Sequence, residues 1–243
     1  MSEAQDPSTG QWFRSPRIRM LGKNDRGGAD FSPDMALGVE LYLVRKKDFT
    51  RAQKWLDWLQ KLNPTNNLID TIKPPRLCRT QNCTMRPADG AVLAEVVEFM
   101  RREAGLPMLP DGRLRGFLGT FGEYAVALAT LGSLNAPGFP QHLTATSIAV
   151  LREAGKSDPR LDLGAQLLFL RNTKNAFFAY LAGAPRRTVE DITLEKCPDS
   201  TKDLSGFNQW QWERVETENN EPVWKNTMLW DCIFMAHLLA TKR

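Results

Sequence analysis

The chain has 243 residues, 42% of them hydrophobic and 25% charged, with 32 Lys and Arg against 28 Asp and Glu for a formal net charge of +4. That is an ordinary globular balance, long enough for one large core or two smaller ones. Its cations are spread rather than massed, which sets nucleic acid aside as a partner, and no run approaches the roughly 18 apolar residues of a membrane span.

Residues 1–11, MSEAQDPSTGQ, read as a polar, flexible lead-in without the charged and apolar regions of a signal peptide. The next two dozen residues concentrate chemistry: Trp12, Arg14, Arg17, Arg19, Asn24, Asp25, Asp30 and Asp34. In RSPRIR, Pro16 forces Ser15 into an extended conformation. If the whole segment is extended, Arg17 and Arg19 share a face. Paired guanidinium forks suit a carboxylate or a phosphate, and Trp12 supplies a flat apolar face for a sugar ring. Equally, these arginines can pair with Asp25, Asp30 or nearby helix C-termini. Gly27 and Gly28 permit a tight turn that brings Asn24 and Asp25 towards Asp30 and Asp34. The DRGGAD stretch does not have EF-hand spacing, so calcium is not expected.

From here the chain reads as helices. Ser32 is a natural N-cap and Pro33 a natural first residue, followed by apolar positions 35, 36, 39, 41, 43 and 44. After a break at Asp48 and Phe49, RAQKWLDWLQKL places Trp55, Leu56, Leu59 and Leu62 at helical spacing, with Trp55 and Trp58 read as interior. Pro87 opens a third helix that Gly105 ends. Further helical patterns fall near 114–132, 140–154, 160–171, 175–183, 188–196 and 224–240. Period-2 alternation is almost absent. The expected class is therefore all-α, a single domain over 1–243 built of antiparallel helical hairpins with short turns. Two longer irregular stretches, 63–86 and 198–223, interrupt it, and loops of that length inside a domain are usually functional or disordered.

Four cysteines leave two readings open. Cys78 and Cys83 can close a small disulfide loop with Cys197 and Cys232 as a second pair, or all four can be free thiols in a reducing compartment. A Cys78–Cys83 bridge would favour a location outside the cytoplasm. No CxxC occurs and His142 and His237 stand apart, which argues against zinc. GxGxxG, GxxxxGK with Ser or Thr, HExxH and GxSxG are all missing, so no cofactor is expected.

The helix–turn–helix organisation, SPDMALGVELYL answered by RAQKWLDWL, resembles the (α/α) toroids of six-hairpin glycosidases and some polysaccharide lyases. The resemblance is one of architecture. It implies a toroid or partial toroid whose long loops form a site for a polysaccharide or oligosaccharide at one end. Hydrolysis of a glycosidic bond needs two carboxylates about 5–9.5 Å apart. Asp34, held ionised at a helix start, is one candidate as base or nucleophile. Glu123, in GTFGEYAVALA, is its first partner candidate as acid, and Glu213, in WQWER, the second. Trp210 and Trp212 beside Glu213 can line a sugar subsite. For β-elimination, Tyr124, His142 or an arginine would move the proton. Two functions stand side by side: an enzyme cleaving a polysaccharide, acidic if the arginines bind it, and a non-catalytic glycan-binding or structural module of a larger assembly.

Overall fold

The computed structural model describes residues 1–22, 31–62, 86–106, 120–197 and 229–241. Among these the chain is helical, with ten α-helices, one 3-10 turn (Ser2–Ala4), and no strand beyond an isolated antiparallel bridge between Gln5 and Trp12. The all-α class is thus the observed one. No described helix is long and apolar enough to cross a membrane. The chain divides into two compact units, Met1–Leu128 with Ala149–Ser157, and Ala129–Ile148 with Asp158–Arg243.

In the first unit, DPSTG makes the chain turn sharply. Asp6 accepts from the amides of Ser8 (2.8 Å) and Thr9 (3.0 Å), and Gly10 takes a φ of +87°. The turn brings the Asp6 amide to the Gln11 carbonyl (2.8 Å) and the Phe13 amide to that of Ala4 (3.0 Å). Helix α1 (Pro16–Met20) follows, then α2 (Pro33–Lys46), α3 (Phe49–Leu62) and α4 (Pro87–Glu103). Ser32 and Pro33 start α2 as the sequence implies; Lys47, in the left-handed region at φ 50°, ends it. The helices α2, α3 and α4 pack on one another, burying Leu37, Leu43, Trp55, Leu56, Leu93 and Met100. Full burial of such side chains contributes about 1.5–3 kcal/mol each. Trp55 is the hub of a ring cluster, edge-on to Trp12 at 6.4 Å and to Phe31 at 5.9 Å. Exposed ion pairs such as Arg45–Glu153 (2.7 Å) add little to this.

The second unit is organised around α7 (Pro159–Arg171), α8 (Ala176–Leu181), α9 (Arg186–Lys196) and α10 (Leu229–Ala240). Helices α5 (Thr120–Gly132) and α6 (Phe139–Glu153) complete the set. Asp158 caps α7 ahead of Pro159, and Asn175 caps α8 by accepting from the Phe178 amide at 3.0 Å. The stack α7 on α8, α8 on α9 and α9 on α10 encloses Leu168, Phe178, Leu181, Val189 and Met235. NAFFAYLAG is the apolar centre: Phe177 and Phe178 are buried, and Phe177 meets Phe234 of α10 at 5.3 Å. Cys197, at the end of α9, is disulfide-bonded to Cys232 of α10, the second of the two cysteine pairs. Cys78 and Cys83 lie outside the described residues, as do nearly all of the stretches 63–86 and 198–223.

Candidate functional site

A cleft of about 300 Å³ opens wholly within the first unit, where the N-terminal segment crosses α1 and α3. Glu3, Gln5 and Pro7 form one wall, Arg19 of α1 another, and Arg51 and Lys54, one turn apart on α3, the third. Gln5 ties the walls together. Its buried amide donates to the carbonyls of Gly10 (3.0 Å) and Arg51 (2.9 Å), so the turn cannot lift without stranding buried polar groups. Gly10 itself lies so close to Lys54 that a Cβ there would collide with the lysine's carbonyl oxygen.

The electrostatics of this cleft are one-sided. Arg51 is neutralised by Asp48, its Nη1 donating to Oδ2 at 2.6 Å. Arg19 and Lys54 meet only carbonyl oxygens among the described residues: Nη1 of Arg19 donates to Gln5 at 2.9 Å, and Nζ of Lys54 to Pro7 at 2.9 Å. A carbonyl satisfies one donor of such a head group but leaves its charge in place. Two cations therefore border the cleft against one wall carboxylate, Glu3, which is exposed and in no ion pair with either. Just outside, Asp6 is held below its ordinary range, chiefly by the Ser8 hydroxyl and next by the Thr9 amide, and so stays ionised while spending its charge on the turn.

Of the residues singled out from sequence, Arg19 alone among the described ones borders this cleft. The segment carrying it is not extended throughout. Ser15 is extended (φ −161°), but its hydroxyl accepts from the Ile18 amide at 3.2 Å and caps α1, with Pro16 at the first position. On a helix, positions two apart diverge by about 200°, so Arg17 and Arg19 do not share a face. Arg14 and Arg17 are exposed away from the cleft, while Arg19 is half-buried. Trp12 offers no open ring face for a sugar: it is 1% exposed, walled by Tyr42 at 6.3 Å and Trp55 at 6.4 Å. Asp34 sits in the first turn of α2, half-buried and apart from the cleft. Glu123 falls in α5 with its side chain outside the described residues. Asn24, Asp25, Asp30, Trp210, Trp212 and Glu213 lie outside them altogether. Tyr124 is exposed, and His142 is half-buried, its ring 6.4 Å from that of Phe177.

The interior of the first unit holds polar groups that sequence reading passed over. Glu40 of α2 is fully buried and, among the described residues, neither carboxyl oxygen has a hydrogen-bond partner. Burial pushes its carboxyl well above the usual range, Asp89 adds to the rise and Arg86 opposes it. Asp89, also fully buried, accepts from the Arg86 amide at 2.7 Å and from its Nη2 at 2.6 Å, an arrangement that opens α4. Further along α4, burial also raises Glu95, against the pull of Lys156 at 2.5 Å. A signal for Glu40 existed. It occupies the register of Ala36, Leu37, Leu43 and Val44, the buried stripe of α2. Gln5, Arg51 and Lys54 carried none, since their meeting depends on the fold of the N-terminal segment.

Neither a family model, nor a curated protein, nor a solved structure matches this chain.

Proposed function

We propose that the chain is a non-catalytic module that binds an acidic glycan, seating a sugar carboxylate in the cleft between Arg19 and Lys54. The observation that carries this reading is the pair of cations held on backbone carbonyls, which leaves their charge for a ligand. A carboxylate entering there would gain charge-assisted hydrogen bonds, each worth about 1.5–3 kcal/mol. Pro7 and the aliphatic stems of Arg51 and Lys54 offer the apolar edge that a sugar ring needs. The hairpin scaffold behind it is, on this proposal, of the (α/α) toroid kind. Cleavage of the same glycan is the second reading, favoured by Asp34, a half-buried carboxylate in the first turn of α2 with no ion pair among the described residues.

Calorimetric titration of the full chain with oligogalacturonate and with a neutral oligosaccharide of equal length tests both readings. Binding of the acidic glycan alone, weakened at least tenfold in Arg19→Ala/Lys54→Ala, is the expected result. Equal binding of the neutral glycan, or a double variant that binds as wild type does, would overturn it. Reducing ends or unsaturated product appearing in the same samples, and lost in Asp34→Asn, would move the conclusion to the enzyme.

A further inference from the structure

A buried carboxyl group with a hydrogen-bond partner for neither oxygen is costly and calls for a cause. Glu40 is such a group among the described residues: it is fully buried on α2, a helix that packs against α4. The charged groups acting on it are Asp89 and Arg86, from the first turn and cap of α4. Arg86 is already committed, its backbone amide, Nε and Nη2 all donating to Asp89. Of the other helices that meet α2, α3 turns Ala52, Trp55 and Leu56 inward and keeps Arg51, Lys54 and Asp57 on half-buried or exposed positions, and α6 brings Glu153, which is spent on the exposed Arg45.

We propose that Glu40 is a proton-operated catch between α2 and α4, closed while its carboxyl is protonated and released when the proton leaves. Ionisation would put a second negative charge into the interior that holds Asp89, with no donor among the described residues to receive it. The charge can be hydrated only if α2 and α4 part. Arg86 cannot serve both carboxylates without giving up the bonds that start α4. The sign follows from proton linkage. Above the ordinary carboxylate range the opened state releases a proton that the closed state keeps, so opening becomes easier with each rise in pH. The trend ends where Glu40 ionises within the closed structure, and its direction agrees with the upward displacement of this carboxyl. It is separate from the cleft, whose lining includes none of Glu40, Arg86 and Asp89.

Hydrogen exchange of the full chain, followed peptide by peptide from pH 4 to 9 and corrected for the intrinsic pH dependence of exchange, reads the catch directly. In the wild type the opening constant of α2 and α4 is expected to rise by up to about tenfold per pH unit above the ordinary carboxylate pKa. In Glu40→Gln, which keeps the shape without the proton, the rise should vanish, and amides of α7–α9 should respond alike in both proteins. An equal pH response in wild type and Glu40→Gln, or one spread evenly over α7–α9, would overturn the proposal. Should Glu40→Gln fail to fold, the carbon-13 resonance of the Glu40 carboxyl in the wild type decides. A midpoint in the ordinary range refutes the catch, and a raised one coinciding with the end of the pH trend supports it.

Discussion

Gly10 shows how one residue can control the cleft. Its φ of +87° disfavours any side chain, and a methyl group there would run into the backbone of Lys54. Gly10→Ala should therefore cost about 3 kcal/mol, from strain at a left-handed residue plus a clash that rigid backbone cannot absorb. Denaturant unfolding measures the loss, and a free N-terminal segment would also abolish glycan binding. The sequence named Arg19 but mistook its company. RSPRIR looked extended because Pro16 restrains Ser15, and that restraint holds for Ser15 alone; the same proline, at the first position of α1, then starts a helix. Trp12 was misjudged for a different reason. Whether an aromatic ring faces solvent depends on what folds over it, and here Tyr42 and Trp55 arrive from separate helices. Glu40 was legible in principle, as a polar residue in an apolar register, though nothing local told whether the partner helix would supply a donor.

Among elements, the long amphipathic helices were the legible part. Pro and Ser at their starts and Gly105 beyond α4 mark boundaries that the structure keeps, because those residues act through local backbone chemistry. Helix α1 escaped notice because five residues hold too little periodicity to read, and so short a helix depends on its cap and its neighbours. That dependence is testable. Ser15→Ala removes the acceptor for the Ile18 amide, a loss of about 1 kcal/mol confined to α1. Because α1 carries Arg19, affinity for oligogalacturonate should fall about fivefold, the equivalent of that energy, while the melting temperature scarcely moves. An unchanged affinity would mean that Arg19 is held by Gln5 rather than by its helix.

On the scale of the whole molecule, the division into two units had no linker to announce it: its boundaries after Leu128 and Ile148 fall inside α5 and α6. The second unit does carry a covalent restraint. The Cys197–Cys232 bridge spans a sequence separation of 35 residues, and a loop of that size stabilises by about 4 kcal/mol in the chain-entropy account. Cys197→Ser/Cys232→Ser should lower the melting temperature accordingly and leave oligogalacturonate binding intact, since the cleft belongs to the first unit. A binding defect in that variant would show that the cleft depends on residues beyond its own walls. The folded N-terminal segment, finally, decides how the protein can be handled. Ser2 and Glu3 line the cleft, and Met1 beside them is 64% exposed. A purification tag fused ahead of Met1 would begin beside the cleft, and an acidic tag there would repel or mimic the ligand.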